Sequence, residues 1–190
     1  LNPDSGVIAA LIAYGAPPDA VPPPPPPRSL RLRAAARPAG EIGVAVIGAG
    51  SIAQAFHLPN IVKIPGCRLE AVVDRIPATA RQAGAKYGAV RCATDSREIL
   101  SDDAVQAVVI ATRHNLHKEL ALAAIAAGKH AFVEKPLALT VEDCVEIRDA
   151  AARAGVLVTV GFNRRFSPWA KQAKTALAHA RGPKMVLYRC

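Results

Sequence analysis

The chain has little that could crosslink it or anchor it in a membrane. Its 190 residues include four cysteines and no Cys-x-x-Cys pair, so we expect reduced thiols and no bound metal. No apolar run approaches the roughly 18 residues of a membrane-spanning helix. The short apolar stretch at residues 7–14 lacks the basic leader of a signal peptide. We therefore expect a cytoplasmic protein with no membrane partner.

Acidic residues are absent from residues 150–190, which carry eight lysines and arginines and most of the net charge of +9. Residues 41–149 are balanced, with 12 basic and 13 acidic residues. An acidic region elsewhere in a longer protein explains the basic segment as well as a nucleic-acid surface does, and we expect no nucleic-acid partner. A nucleic-acid-binding module stays as an alternative, and it predicts a steep loss of affinity with salt.

Residues 1–40 have the composition of a linker. Six consecutive prolines, Pro22 to Pro27, lack amide donors and have a fixed φ, which predicts a stiff polyproline II spacer. The Pro-x-x-Pro match to SH3-domain ligands is automatic in such a run and carries little weight. We expect residues 1–40 to be a linker or the tail of an upstream module.

From Ile42 onward, short apolar runs alternate with helical patterns, which predicts βαβ units and a parallel sheet. Half of the residues are hydrophobic (51%), enough for a core and too many for a disordered chain. The predicted strands are Gly43–Gly48, Leu69–Asp74, Val90–Ala93, Val105–Ala111, Ala131–Val133 and Leu157–Val160. The predicted helices are Ile52–Ile64, Ala78–Tyr87, Ser96–Leu100, Leu116–Ala127 and Val141–Arg153.

Two helix ends carry specific signals. The fourth helix is expected to bury Leu116, Leu120, Ala123 and Ala127 and to end at a left-handed Gly128. The fifth begins with Thr140 as N-cap and an acid three residues later.

A glycine-rich turn, Gly48-Ala49-Gly50-Ser51-Ile52-Ala53, directly follows the first predicted strand and opens a helix. Gly48 permits a tight turn, Gly50 lets the backbone approach a pyrophosphate, and the small Ala53 lets helix and strand pack closely. The anion then binds the unpaired amides at Ser51 and Ile52, where the helix dipole favours it. The pattern predicts a dinucleotide site.

Asp74 ends the second predicted strand, where a carboxylate accepts hydrogen bonds from both hydroxyls of the adenosine ribose and repels a 2′-phosphate. This favours NAD. Arg75 leaves NADP possible, because a guanidinium can stack on adenine or bind the 2′-phosphate, although it could equally be an ordinary surface side chain.

The ligand crevice of such a sheet lies where the strand order reverses, here between the first and fourth predicted strands. The residues after the fourth strand run from Ala111 and Thr112 to His117, and Glu134-Lys135-Pro136 follows the fifth. His114 and His117 have no acidic or thiol partner nearby in the sequence, so we expect no metal. His117 could also be no more than a residue of the helix N-terminus.

The glycine turn, Ala111-Thr112 with His117, the block 128–138 around Glu134-Lys135-Pro136, and Gly161-Phe162-Asn163-Arg164-Arg165-Phe166 together resemble the Gfo/Idh/MocA oxidoreductases. The resemblance implies an α/β Rossmann fold with a doubly wound parallel sheet over 41–163. Residues 164–190 would hold only the connection to, and first strand (at Met185) of, a second α/β substrate domain.

The resemblance also implies roles for particular residues. Lys135 would reach the nicotinamide and the substrate hydroxyl as the catalytic residue. Glu134 and Pro136 would shape its loop, and Asn163 would line the same pocket. The family's catalytic histidine lies in the second domain. This chain departs from the family at Thr112-Arg113-His114, where Thr-Pro-Asn is usual.

The function implied is hydride transfer between NAD(P) and a hydroxyl or carbonyl of a sugar, cyclitol or sugar derivative, in a homo-oligomer when full length. We expect the 190-residue chain alone to be weakly active or inactive. The proline-rich segment and Gly-Phe-Asn-Arg-Arg-Phe-Ser-Pro also resemble bi-domain oxidoreductases with an upstream zinc-alcohol-dehydrogenase-like module. The rival function is a non-catalytic dinucleotide-binding sensor or regulator.

Overall fold

The structure, a computed structural model, describes residues 28–33, 40–179 and 181–182. The proline run and the strand expected at Met185 lie outside the described residues. Seven strands form one sheet: β1 (Ser29–Arg31), β2 (Ile42–Ile47), β3 (Cys67–Val73), β4 (Arg91–Ala93), β5 (Ala107–Ile110), β6 (His130–Val133) and β7 (Val158–Val160).

Helices connect the strands from β2 onward. A π-helical turn, Ala53–His57, leads into α1 (Leu58–Ile61), and a 3₁₀ turn, His114–Leu116, precedes α4. The remaining helices are α2 (Pro77–Tyr87), α3 (Ser96–Leu100), α4 (His117–Ala126), α5 (Val141–Ala154) and α6 (Pro168–Leu177), with a 3₁₀ turn at Asn163–Phe166 before α6. No helix among the described residues is both long and apolar enough to span a bilayer.

The strand order is β1-β4-β3-β2-β5-β6-β7, and every pair from β4 to β7 is parallel. The order reverses between β2 and β5, as predicted, so the loops after these strands face a common crevice. Buried side chains form one cluster under α4 and α5 and another under α1 and α2. The sheet is therefore covered on both faces, and the doubly wound Rossmann fold is confirmed.

The first strand was not predicted. Residues 29–31 were placed in the linker, but they pair antiparallel with β4, with Leu30 opposite Cys92. A three-residue strand flanked by arginines has no alternation long enough to read from sequence. A tertiary contact beside the strand holds it in place. Leu32, which follows the strand, packs against Gly84 of α2, where a β-carbon would lie 2.7 Å from the Cδ1 atom of Leu32.

The first helix is not the regular helix expected over Ile52–Ile64, because its first turns are π-helical at Ala53–His57. A π-turn holds one residue more than an α-turn, and such turns are frequent at functional sites. His57 is the last residue of this π-turn, and its imidazole bonds the side chain of Glu134 after β6.

The buried face predicted for α4 is correct only in part. Leu120 and Ala123 pack partly buried against the core, whereas Leu116 and Ala127 are exposed. The buried residues of the helix are His117, Ala121, Ala124 and Ile125. The helix is alanine-rich on all sides, so its apolar period is poorly defined, and the deciding residue is a histidine that a hydrophobicity pattern counts as polar. The end signals are confirmed: Gly128 has a φ of 69°, and Thr140 Oγ1 accepts a hydrogen bond from the amide of Asp143 at 3.1 Å.

Candidate functional site

A cleft of about 620 Å³ opens at the carboxyl ends of β2, β3 and β5. Eight of the residues predicted to bind the cofactor line it: Gly48, Gly50, Ser51, Ile52, Asp74, Arg75, Ala111 and Thr112. The strand ends are fixed to one another, since the amide of Gly48 donates to Val73 O at 2.8 Å and that of Ala111 to Ile47 O at 2.9 Å. Backbone hydrogen bonds between the strands therefore fix the strand ends that form this wall of the cleft.

The two glycines of the turn differ in what surrounds them. Gly48 has a φ of 94°, and a β-carbon there would lie 2.8 Å from Ala111 O, so only glycine suits this close approach of β2 and β5. Gly50 has nothing within 4 Å of its β-carbon position, which faces open cleft. A side chain at 50 would fill the space in which a pyrophosphate approaches the helix N-terminus. The residues present therefore fit a dinucleotide.

Asp74 holds the glycine turn in place. Its Oδ2 accepts a hydrogen bond from the amide of Ala49, and its Oδ1 accepts one from the amide of Ile76, both at 2.9 Å. Each carboxylate oxygen has a second lone pair, so both can still accept a ribose hydroxyl. The structure thus gives Asp74 a role that the sequence did not suggest, because it ties the turn after β2 to the loop after β3.

Further residues line the cleft that sequence reasoning did not assign to it, among them Arg113 and Asn115. Asn115 supplies an amide one residue beyond the position at which the family usually has its asparagine. Arg75 and Arg113 line the same cleft, and no ion pair or hydrogen bond of either guanidinium is found among the described residues. The cleft therefore has two cations available for phosphate or adenine, beside the carboxylate of Asp74.

Lys135 lies in the loop after β6, outside the cleft wall, with an exposed side chain. Its peptide bond to Pro136 is cis. No hydrogen bond or ion pair of its ammonium group occurs in the described parts of the chain. Lys118 shows what a structural lysine looks like here: it contacts Asp143 at 2.5 Å and Glu146 at 2.7 Å. Hydrogen bonds to those two carboxylates raise the pKa of Lys118.

His117 contacts both the loop after β5 and the loop between β6 and α5 that carries Lys135 (residues 134–140, the Lys135 loop). The sequence predicts that His117 contacts the cofactor, but in the structure its side chain is completely buried (0% exposed). Its Nδ1 lies 2.6 Å from Pro136 O and its Nε2 lies 3.2 Å from Thr112 O. Both partners are carbonyl oxygens, which only accept, and a neutral imidazole has a single N–H, so we assign the hydrogen to Nδ1, which makes the shorter contact. The imidazole therefore lies between the loops after β5 and β6 and does not line the cleft, and the predicted cofactor contact of His117 stays a prediction.

The side chain of Glu134 is held by a hydrogen bond to each of its carboxylate oxygens. Its Oε1 accepts from His57 Nε2 at 2.8 Å, and its Oε2 accepts from the amide of Lys135 at 3.1 Å. The carboxylate packs on the α-carbon of Gly161, where a β-carbon would lie 3.2 Å away. His57 was not predicted as a site residue, because helical spacing alone does not show that a π-turn aims it at β6.

Asn163 starts the 3₁₀ turn after β7 and is exposed. It does not line the cleft, and neither do Glu134, Lys135 and Pro136. The predicted site therefore has two parts in the structure. One is the cleft between the ends of β2, β3 and β5, and the other is the Lys135 loop with its supports.

The loop after β4 completes the cleft at the Asp74 end, through Thr94 and Ser96. The amide of Thr94 donates to Arg28 O at 2.8 Å, next to β1. Asp95 caps α3 by accepting from the amide of Arg97 at 3.0 Å, and the Arg97 guanidinium, helped by that amide, lowers the pKa of the Asp95 carboxyl to about 2. No group of three or more candidate metal ligands occurs among the described residues.

The family model described as "Oxidoreductase family, NAD-binding Rossmann fold" (GFO_IDH_MocA) matches residues 42–162. The chain belongs to this family, and what it carries is the family's NAD-binding Rossmann domain. The scyllo-inositol 2-dehydrogenase (NAD(+)) of Bacillus subtilis is 32% identical over 150 residues, which are 78% of this chain and 44% of that protein. The inositol 2-dehydrogenase of Gluconacetobacter diazotrophicus is 41% identical over 129 residues, 66% of this chain and 38% of that protein.

Solved structures agree. GenD2 from gentamicin A biosynthesis, in complex with NAD, has a TM-score of 0.71 and 32% identity over 78% of this chain and 42% of its own. KijD10, a 3-ketoreductase from Actinomadura kijaniata in complex with NADP and TDP-benzene, has a TM-score of 0.69 and 28% identity over 73% and 42%. Neighbours thus bind either cofactor, in line with NAD and with NADP as a possible second. The chain spans less than half the length of these relatives.

Proposed function

We propose that this chain is the cofactor-binding part of an NAD(P)-dependent oxidoreductase acting on a hydroxyl or carbonyl group of a sugar, cyclitol or sugar derivative. NAD, when bound, accepts or supplies the hydride. In this proposal the cleft residues bind the dinucleotide, and Lys135 contacts the reacting oxygen of the substrate. The activities for which the relatives are named, inositol dehydrogenases and a 3-ketoreductase, support this substrate class.

The observation that carries the proposal is the state of Lys135. Its ammonium group has no partner among the described residues, while the backbone that carries it is held by hydrogen bonds to the side chains of His117 and Glu134. A fixed loop presenting a free cation suits stabilisation of negative charge that develops on a substrate oxygen. Such a cation can also hold or pass on the hydroxyl proton. A plain dinucleotide sensor has no use for this arrangement.

Glu134, Pro136 and Asn163 would form the nicotinamide end of the site in this proposal. The exposed positions of Lys135 and Asn163 agree with a pocket that a second domain closes. We extend the proposal to a homo-oligomeric, cytoplasmic full-length protein in which residues 41–163 form the cofactor domain, 164–190 lead to the substrate domain, and 1–40 lead from an upstream module. The motif resemblance described above supports these extensions.

The test is Lys135→Met in the full-length protein, which keeps side-chain length and removes the charge. We expect turnover to fall by about two orders of magnitude or more, because the interaction strengthens in the transition state, while NAD affinity stays within a few-fold. Turnover is measured as NADH formation on a panel of cyclitols and sugars that includes scyllo-inositol, and affinity by calorimetry.

Lys63→Met, at an exposed lysine beyond α1, is the matched control and should leave both quantities unchanged. Near-normal turnover of the Lys135→Met protein would contradict the catalytic role. Tight NAD binding without oxidation of any polyol by the wild-type protein would favour the sensor.

A further inference from the structure

His57 and Glu134 form a pair that the cofactor cleft does not explain. The two side chains are 16% and 17% exposed, and neither lines the cleft. His57 comes from the π-turn that follows the glycine turn, whereas Glu134 directly precedes Lys135. The pair therefore links the segment that binds the pyrophosphate in our proposal to the loop that carries the free lysine.

The surroundings of Glu134 show that its carboxylate needs this partner. The group is mostly buried against Gly161, a position that offers no side chain to bond with. A carboxylate withdrawn from water is costly unless it is hydrogen-bonded. His57 Nε2 and the Lys135 amide supply two such bonds, one to each oxygen. If the His57 bond is lost, the carboxylate is expected to turn toward water and to release the Lys135 amide.

Two contacts, one with an aromatic ring and one with a carboxylate, fix the orientation of the His57 imidazole. Its ring meets that of Phe132 edge-on, with centroids 5.4 Å apart and planes at 64°. Phe132 lies in β6, two residues before Glu134, so the same strand provides both contacts. The ring contact sets the plane of the imidazole, and the carboxylate fixes which nitrogen carries the hydrogen, because a carboxylate only accepts.

We propose that His57 is a positioning residue that fixes the Lys135 loop by holding Glu134. It acts through Glu134 and does not touch the substrate. The consequence for the reaction rests on the proposed function, since it requires Lys135 to be catalytic. The consequence for the loop does not, and can be measured on its own.

The experiment uses two complementary variants of the full-length protein. His57→Phe keeps a ring against Phe132 and removes the donor, whereas His57→Gln removes the ring and keeps a nitrogen donor near the position of Nε2. Hydrogen exchange of the peptide spanning 134–139 is measured by mass spectrometry, together with that of the glycine turn at 48–53, the melting temperature and NAD affinity by calorimetry.

We expect His57→Phe to speed exchange at the Lys135 amide about ten-fold or more, with the glycine turn, melting temperature and NAD affinity close to wild type. His57→Gln should restore protection. Glu134→Leu, which removes the acceptor of both bonds, should speed exchange at least as much as His57→Phe, and the double variant should be no worse than Glu134→Leu, because the His57 bond is already absent from it. In turnover of a polyol that the wild-type protein oxidises, His57→Phe should lower kcat about ten-fold with KM little changed.

Unchanged exchange at 134–139 in His57→Phe overturns the proposal. So does faster exchange in every peptide together with a lower melting temperature, which marks a general structural role. Failure of His57→Gln to restore protection also overturns it, because the donor would then not be what matters. Faster local exchange with unchanged kcat leaves the positioning role standing and instead counts against a catalytic Lys135, so the two failures are distinguishable.

Discussion

The two parts of the site are built differently. At the glycine turn, the backbone forms the site: strand ends bonded to each other, a glycine that must be glycine, and open space beside Gly50. At the Lys135 loop, side chains from other elements, His117 and His57, hold a backbone loop in position. A site made of backbone responds mainly to added bulk. A loop held by side chains responds to the loss of single hydrogen bonds, and there binding and reaction can separate.

The largest effect should come from bulk at the glycine turn. Gly50→Val places a branched side chain in the space proposed for the pyrophosphate and should weaken NAD binding at least a hundred-fold by calorimetry, with the fold intact by circular dichroism. The NAD affinity of Gly50→Ala should lie between that of the wild type and that of Gly50→Val. Ala152→Val on the exposed face of α5 is the control for a β-branched residue elsewhere. A folded Gly50→Val protein with normal NAD affinity would show that the glycine turn does not bind the cofactor.

A smaller effect should follow from removing the carboxylate that joins the turn to the next loop. Asp74→Ala loses the ribose contact proposed above and the bonds to Ala49 and Ile76, so NAD affinity should fall about ten-fold. NADP should lose less, because a repulsive charge is also removed. Asp74→Asn separates the two causes, since it keeps an acceptor for the turn without the charge. If neither variant changes the ratio of NAD to NADP affinity, Asp74 does not contact the ribose.

The smallest effect concerns the β4–α3 corner of the cleft. Asp95→Ala removes the N-cap of α3 and should lower the free energy of unfolding by about 1 kcal/mol, with NAD affinity changed less than three-fold. The pKa of the Asp95 carboxyl is lowered to about 2, so the stabilisation that its charge contributes is complete above about pH 5 and is lost as the pH falls toward 2.

The free energies of unfolding of the wild type and Asp95→Ala, measured in urea, should therefore converge as the pH falls to about 2. An equal difference between the two proteins at pH 7 and at pH 2 would show that the charge contributes nothing. A large loss of NAD affinity in Asp95→Ala would show that this corner, and not only the glycine turn, forms the binding site.

The same contrast explains what could be predicted from sequence. The glycine turn and Asp74 were found because their requirements are local: a strand, a turn, a helix and an acid at fixed spacing. The crevice followed from the strand order. His117 was placed at the ligand because a histidine at a helix N-terminus looks accessible, and only tertiary packing shows that it is buried between two loops.

His57 and the short strand at residues 29–31 were missed for a related reason. One depends on a π-turn that no 3.6-residue period reveals, and the other on pairing with a strand about 60 residues further along the chain. The family resemblance supplied Lys135 and Asn163 as site residues, which the residue pattern alone did not. Their roles stay predictions.

The antiparallel strand β1 also affects how molecules of this protein meet one another. A strand at the border of a sheet presents unpaired amides and carbonyls to which a second molecule can add a strand. With β1 in place, β4 bonds on both sides, and the border of the sheet among the described residues is a strand of three residues with an exposed arginine at Arg31. Short, charged borders are poor templates for joining two sheets edge to edge. Within the part of the chain that the structure describes, β1 thus replaces the border of β4 with one less suited to intermolecular strand addition.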